Sequence, residues 1–327
     1  MPVRDVLIVG AGPSGLATAI AAKHFGLDYV ILEQGALVDA IARFPTNMVF
    51  FTTPELLEIG GIPLTTPYDK PTRAEALQYY RKVVDTFQLP IELYEEVTAI
   101  HPPTDPPGEF VVESRTSRGV TRTHEARHVV LAMGYYGLPN LLNVPGEDLP
   151  HVSHFYKEAH PYYRQRVVIV GGKNSAAEAA LEIHRAGGYV TMVHRGPGFG
   201  ESVKYWVKPD IENRVKEGSI AAHFNANVTA IRVNEVVLDT GVTLPAERVL
   251  LLTGYRADPD FMRRMGVEIH DDTQAPKYNV DTYETNVPGL FVAGGQVAGK
   301  RTGTVFIENG RFHGEVIAKT IAARLSQ

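Results

Sequence analysis

One unit, carried twice, constrains the folding of this chain more than anything else in it. Val6-Leu7-Ile8-Val9-Gly10 returns as Val167-Val168-Ile169-Val170-Gly171. After each copy come a glycine loop, an alanine-rich stretch and a second apolar run, Tyr29–Leu32 or Val190–Val193. Each second run ends on a polar residue at the same distance from its glycine, Glu33 in one copy and His194 in the other. A short unbroken apolar run reads as a parallel strand buried on both faces. Val129–Ala132, Val249–Leu252 and Leu290–Ala293 read the same way, and helices are predicted over Gly15–Phe25 and Ser175–Ala186. Strand–helix–strand alternation predicts parallel α/β sheets, here from a duplication.

With 327 residues the chain has room for two domains. The proline- and glycine-rich stretch 137–150 leads out of the Val129 strand, and Thr253-Gly254-Tyr255 leads back. The second domain is therefore expected as an insertion: residues 138–250 inside a first domain made of 1–137 and 251–327. Within the first, a turn at Pro102-Pro103-Thr104-Asp105-Pro106-Pro107-Gly108 is predicted to join strand-like runs Glu92–Ile100 and Glu109–Ser114. The apolar start, Met1 to Ile20, breaks at the glycine loop and is too short for a signal sequence or a membrane span, so a cytoplasmic protein without membrane contact is expected. A net charge of −5 argues against nucleic acid as a partner. Cysteine is absent altogether, which excludes disulfides, cysteine-held zinc, iron–sulfur clusters and any thiol chemistry by the protein itself.

Both loops carry dinucleotide chemistry. Gly10-Ala11-Gly12-Pro13-Ser14-Gly15 is a G-x-G-x-x-G at a strand-to-helix turn. Its first glycine serves the tight turn, its second the approach of a pyrophosphate, and its third the packing of helix on sheet. The helix N-terminus favours the phosphate charge. Glu33, followed by Gln34, stands where a carboxylate accepts from ribose hydroxyls and repels a 2′-phosphate, so this loop suits FAD. The second loop, Gly171-Gly172-Lys173-Asn174-Ser175-Ala176, has a lysine at its middle glycine position. Its strand ends on His194 and Arg195, a cationic pair suited to an adenosine 2′-phosphate and hence to NADPH. A flavin that accepts hydride from NADPH and passes electrons on would use both sites. The strand before Gly294-Gly295 and a helix expected from near Thr304 to Leu325 would complete the flavin site, the helix dipole facing the ring.

These features resemble the two-dinucleotide flavoproteins of the thioredoxin reductase type. Leu131-Ala132-Met133-Gly134 stands where that group has its Ala-Thr-Gly turn, with Gly254-Tyr255 as the later counterpart. Longer strings narrow the resemblance to the bacillithiol disulfide reductase family: Phe44-Pro45-Thr46-Asn47-Met48-Val49-Phe50-Phe51, Phe155-Tyr156-Lys157-Glu158-Ala159-His160-Pro161-Tyr162, Lys204-Tyr205-Trp206-Val207-Lys208-Pro209, Tyr283-Glu284-Thr285-Asn286 and Phe306-Ile307-Glu308-Asn309-Gly310. The resemblance implies two Rossmann-like domains, the second inserted into the first. It implies FAD at Gly10, Gly12, Pro13, Ser14, Gly15, Glu33, Gln34, Val97, Ala132, Gly134, Gly294, Gly295, Gln296 and Thr304. NADPH is implied at Gly171, Gly172, Lys173, Asn174, Ser175, His194 and Arg195. The implied activity is NADPH-dependent reduction of a low-molecular-weight disulfide, by a homodimer, without a Cys-x-x-C relay. The family's glycine-loop cysteine is Ser14 here, and a hydroxyl forms no thiolate. Disulfide reduction would then run between flavin and substrate directly. Two other outcomes stay open: electrons passed to a small redox protein such as ferredoxin or flavodoxin, or to oxygen, and a redox sensor with little turnover.

Other residues carry two readings each. Ser14 is a reaction-centre hydroxyl or a helix N-terminal hydroxyl. His313 is a proton donor to a leaving thiolate or a surface residue, with the surface preferred. His151, His154 and His160 line a cleft or hold a metal, the metal disfavoured for want of a supporting motif. Phe50, Phe51 and Tyr136 line the flavin pocket or the core. Lys204, Tyr205, Trp206 and Lys208 form a recognition patch or an amphipathic helix segment.

Overall fold

The computed structural model describes residues 3–105 and 107–326. Met1 and Pro106, which the readings of the N-terminus and of the 102–108 turn include, lie outside the described residues. The chain divides into two compact units. One comprises the residues up to Phe44, Met48–Leu138 and those from Tyr255 on; the other comprises Pro45–Asn47 and Pro139–Gly254. The divisions fall a few residues from the expected cuts at 137/138 and 250/251. The reason is local: Thr253 Oγ1 donates to Asn140 O at 2.6 Å and Asn140 N to Gly254 O at 2.9 Å, which binds Gly254 into the second unit.

The first unit is built on a seven-stranded sheet. Arg4–Val9 pairs in parallel with Tyr29–Glu33 on one side and with Thr121–Leu131 on the other. Ile91–Leu93 extends the sheet beyond Tyr29–Glu33. The long strand Thr121–Leu131 has two partners along its far edge. Its first half pairs antiparallel with Phe110–Thr116 and its end pairs in parallel with Leu290–Val292. The strand-like run 92–100 is in fact two strands, Ile91–Leu93 and Glu95–His101, broken at Tyr94 with φ +58°.

Both faces of this sheet are covered, which is why its strands are continuous apolar runs. Val6, Ile8, Ile31, Val130 and Phe291 belong to one core cluster. Leu7, Val9, Leu32, Val129 and Leu131 belong to the other. Each such side chain, removed from water, contributes about 1.5–3 kcal/mol.

The second unit repeats the plan. Its five-stranded sheet runs Ala221–Phe224, Tyr189–His194, Arg166–Val170, Arg248–Leu251 and Val152–Ser153, all parallel. Val167 and Ile169 face one core, Val168 and Val170 the other. A three-stranded antiparallel sheet, Val228–Arg232, Glu235–Leu238 and Thr243–Pro245, packs within the same unit.

The duplication holds at the level of backbone geometry. The helices Pro13–His24 and Asn174–Arg185 are both 12 residues long, and each starts on the third residue after its glycine. Gly10 has φ +105° and Gly171 φ +150°. A Cβ on Gly10 would lie 2.7 Å from Ala132 O, and one on Gly171 would lie 2.6 Å from Leu252 O. In both units the loop is thus pressed against the end of the neighbouring strand, and only glycine fits.

The C-terminal region differs from expectation. No single helix begins near Thr304. Instead Thr304 Oγ1 closes a turn onto Arg301 O at 2.8 Å, and the chain forms two helices, Ile307–Gly310 and His313–Leu325. Asn309 sets the first of these, its side chain accepting from Phe306 N at 2.9 Å and donating to Thr304 O at 2.9 Å. The second crosses the helix Pro13–His24 so closely that a Cβ on Gly314 would lie 2.5 Å from Thr18 N and Cα.

Candidate cofactor sites

In the first loop the three glycines do three different things. A Cβ on Gly15 would overlap Gly10 O, so Gly15 is fixed by the loop's own backbone. A Cβ on Gly12 would meet nothing within 4 Å. The space over Gly12 is therefore open, as a cradle for a pyrophosphate requires. Glu33 is buried beneath the loop, with Ala11 N donating to Oε2 at 2.7 Å and Gly35 N to Oε1 at 2.9 Å. Burial pushes its carboxyl up from the ordinary range, and the two backbone N–H groups pull it back. Each oxygen keeps a further lone pair for a hydroxyl donor. Gln34, next in the chain, lines a depression of about 370 Å³ with Tyr94, Glu96, Arg115 and Ser117. Val97 marks a register shift in the hairpin between Glu95–His101 and Phe110–Thr116.

The later segments of the first unit close on this loop. Ala132 N donates to Val9 O at 2.8 Å, and Gly134 follows with φ +68°. Pro13 opens the helix, and the side chain of Ser14 lies against two glycines. A Cβ on Gly294 would overlap Ser14 Oγ, and one on Gly310 would lie 3.0 Å from it. Gly295 is covered by the Tyr135 ring, 2.6 Å from where its Cβ would be. Gln296 is fully buried, donating to Met262 Sδ at 3.3 Å, while its Oε1 has no partner among the described residues.

His313 corrects the preferred surface reading. It is buried, stacked on Tyr283 at 4.2 Å, and its Nδ1 accepts from Gly294 N at 3.1 Å. Burial lowers its pKa to about 4, so near neutral pH it is an uncharged imidazole that braces the Gly294 turn. It holds no imidazolium proton to give to a leaving thiolate.

In the second loop Lys173 and Ser175 are exposed, and Asn174 is the first residue of its helix. The ring of His194 is sandwiched: a Cβ on Gly172 would lie 2.5 Å from it, and one on Gly196 would lie 2.9 Å from its Nε2. Burial, then Arg195 and Lys173, lower its pKa below the usual value. His194 is therefore neutral near pH 7, which corrects the expected cationic pair. The fixed cations here are Arg195, which is exposed, and Lys173.

Glu178 escaped the sequence reading. It lies one turn beyond Asn174, where burial and the charge of Glu182 push its carboxyl up to about 7 while Lys204 pulls the other way. Tyr156 donates to Glu182 Oε2 at 2.6 Å. The signal in the sequence was a lone acid inside an alanine run.

The remaining candidates separate cleanly. Lys204, Tyr205 and Trp206 form a turn before a helix that starts at Lys208, so the helical alternative fails for them. Phe50 is buried and packs edge-on to Phe44 at 6.3 Å, and Phe44 meets Tyr136 at 4.8 Å. His151 Nε2 contacts Arg232 O at 3.1 Å, and His154 Nε2 lies 3.4 Å from Glu147. Among the described residues no cluster of three or more metal-ligating side chains occurs.

A buried trio elsewhere, Glu95, Ser114 and His124, has the residues of a nucleophilic triad, with Ser114 Oγ 3.2 Å from His124 Nε2. The Ser114 hydroxyl donates to Glu95 Oε1 at 2.5 Å, and His124 Nε2 meets that same oxygen at 2.7 Å. The acid, not the imidazole, receives the serine proton's hydrogen bond, so the cluster ties the hairpin together.

The comparisons with known proteins bear on this geometry. Residues 7–294 match the model of the family described as pyridine nucleotide-disulphide oxidoreductase. The chain belongs to that family. This oxidoreductase is 42% identical to bacilliredoxin reductase Bdr of Bacillus subtilis, over 98% of both chains. The solved bacillithiol disulfide reductase Bdr (YpdA) from Bacillus cereus superposes with a TM-score of 0.95 at 40% identity, covering 99% of this chain and 100% of that one. Thioredoxin reductase from T. acidophilum shares the fold, with a TM-score of 0.76 at 20% identity over the whole chain. The oxidoreductase is accordingly an FAD- and NAD(P)H-dependent enzyme of thioredoxin reductase-like architecture. The open cradle over Gly12 and the braced carboxylate of Glu33 fit such a dinucleotide. No described helix is long and apolar enough to cross a membrane.

Proposed function

We propose that this oxidoreductase reduces bacillithiol disulfide, a low-molecular-weight thiol disulfide, with electrons from NADPH. The observation that carries this reading is the match over 98–99% of the chain, in sequence and in fold, to bacilliredoxin reductase and bacillithiol disulfide reductase. The balance is NADPH + H⁺ + RSSR → NADP⁺ + 2 RSH. Bound FAD supplies the two-electron link between the nicotinamide and the disulfide.

The first unit is the FAD-binding domain in this reading. Gly12 leaves room for the pyrophosphate, Glu33 receives the ribose, and Ala132, Gly134 and Gly294–Gln296 wall the site. The second unit binds NADPH over Gly171–Ser175, and Arg195 and Lys173 meet the 2′-phosphate. His313 holds the Gly294 turn and moves no proton. Ser14 packs against Gly294 and Gly310 and takes no part in electron transfer. A cytoplasmic homodimer is part of the same reading, supported by the family resemblance.

Since the chain has no cysteine, the substrate's own sulfurs must do all the sulfur chemistry. The test is direct. Holoenzyme reduced anaerobically with NADPH is mixed with bacillithiol disulfide, and flavin absorbance is followed. Reoxidation is expected, at an unchanged rate after the reduced enzyme has been treated with iodoacetamide. Flavin that stays reduced with the disulfide, yet is reoxidised by an oxidised small redox protein or by oxygen, would overturn the substrate assignment.

A further inference from the structure

Asn174 does more than begin a helix. Its side chain reaches a distant segment and bonds it through both ends of the amide. Nδ2 donates to Ser202 O at 3.0 Å, and Oδ1 accepts from Lys204 N at 2.9 Å. The two partners are a carbonyl and an N–H, so only one orientation of the amide satisfies both. A third bond, Gly200 N to Gly172 O at 2.9 Å, ties the same segment to the loop itself. Residues 200–204 are thus stitched along the second glycine loop at three points.

The segment is anchored from the inside as well. Val203 and Val207 are buried in the core of the second unit, and Phe199 packs on it and meets Phe224 edge-on at 5.3 Å. Between these anchors the chain presents an aromatic pair. Tyr205 is 82% exposed and Trp206 43%, their rings 4.8 Å apart and nearly perpendicular. The Lys204 ammonium lies 6.0 Å from the Trp206 ring centre, and its charge is felt by Glu178, on the same helix face as Asn174. A strap that carries a cation and two large aromatic surfaces is therefore held at the mouth of a phosphate-binding loop. Aromatic faces and cations are what a nicotinamide dinucleotide, with its heteroaromatic rings and anionic linker, offers to bind.

We propose that residues 200–206 form a strap over the nicotinamide dinucleotide and that Asn174 is its latch, a positioning residue that couples the glycine loop to Lys204, Tyr205 and Trp206. This rests on the reading that the second loop binds NADPH. The latch lies at the first helical residue, beside the backbone that meets the pyrophosphate, so docking of the phosphates and placement of the strap involve one side chain. The strap is then part of the affinity for the dinucleotide. It also puts the only tryptophan of the chain next to the bound cofactor.

The experiment uses FAD-loaded protein and NADP⁺, which binds without delivering a hydride. Tryptophan emission and calorimetry are recorded on the same titration. In the unmodified protein a saturable emission change should track calorimetric binding. Asn174→Ala should raise the dissociation constant about five- to thirtyfold, the scale of one or two hydrogen bonds, and reduce the emission change at saturation. Tyr205→Ala, at a side chain too exposed to be needed for folding, should also weaken binding, and it stands in if Asn174→Ala fails to fold. Calorimetric binding with no emission change, or both variants binding as tightly as the unmodified protein, would overturn the strap while leaving the NADPH reading intact. If calorimetry shows no binding of NADP⁺ to the unmodified protein, the NADPH reading fails and the strap with it.

Discussion

Gly15→Ala is expected to empty the enzyme of flavin and to lower its stability by about 3 kcal/mol, since an added methyl has nowhere to go. The methyl would overlap the carbonyl oxygen of Gly10 and press on the Ala132 methyl, 3.4 Å away. Neither neighbour can yield cheaply. Gly10 has a positive φ and is itself pinned against Ala132 O. Alanine's better helix propensity offsets about 1 kcal/mol at most and loses to the clash. For a unit of this size the melting temperature should fall by roughly 6–12 °C. Gly12→Ala is the informative partner, because its methyl meets no protein atom and points into the open cradle. That variant should melt as the unmodified apoprotein does, yet lose FAD. The checks are the ratio of flavin to protein absorbance and a thermal melt of each apoprotein. Full flavin content in Gly12→Ala would disprove the assignment of the cradle.

Arg195→Ala should cost about 1–3 kcal/mol of NADPH affinity, roughly 5- to 150-fold, and leave NADH affinity unchanged. The size of the loss follows from the state of His194. Packed between Gly172 and Gly196 and depressed in pKa, it is uncharged near pH 7 and does not replace the missing guanidinium. Lys173 keeps part of the attraction. Arg195 is exposed, so the effect should shrink as salt is raised. The folded pKa of His194 lies below its ordinary value, so raising the pH from 7 to 8 removes no charge there, and affinity owing to this residue stays flat. Acidification through the depressed pKa adds a cation there but also protonates the 2′-phosphate, whose second pKa is about 6, so no gain specific to NADPH is expected. Isothermal calorimetry with NADP⁺ and NAD⁺ reads both effects, and equal losses for the two cofactors would remove the 2′-phosphate from Arg195.

The parts of the molecule set by local pattern were legible in the sequence. The two glycine loops, their strands and their helices follow from apolar runs and glycine spacing, because both faces of each sheet are buried and the loops admit no side chain at Gly10 or Gly171. What was not legible depends on contacts between distant segments. The break between Ile307–Gly310 and His313–Leu325 is set partly by Asn309 and partly by how close Gly314 comes to Thr18, and no periodicity reports that approach. His313 looked like a surface histidine because nothing near it in the chain announces the Tyr283 ring or the Gly294 N–H that bury and engage it. The charge of His194 could not be read from its neighbour Arg195, because the glycines that desolvate it lie on a loop and a turn. Ser14 was recognisable as a departure, but the two glycines facing it only appear once the chain is folded.

The way the C-terminal strand closes the first sheet also orders events during synthesis. Leu290–Val292 pairs with Val129–Leu131, and His313–Leu325 packs on Pro13–His24, so the first unit is incomplete until these two segments are made. The inserted unit has every one of its strands by Leu251, and three residues later the Asn140–Thr253 and Asn140–Gly254 hydrogen bonds can join its two ends. The second unit is therefore fully synthesised while the first still lacks Leu290–Val292 and the helices Ile307–Gly310 and His313–Leu325. Folding from the middle outward holds the first half in waiting, with the edge of Val129–Leu131 that later meets Leu290–Val292 unpaired, until those residues are made.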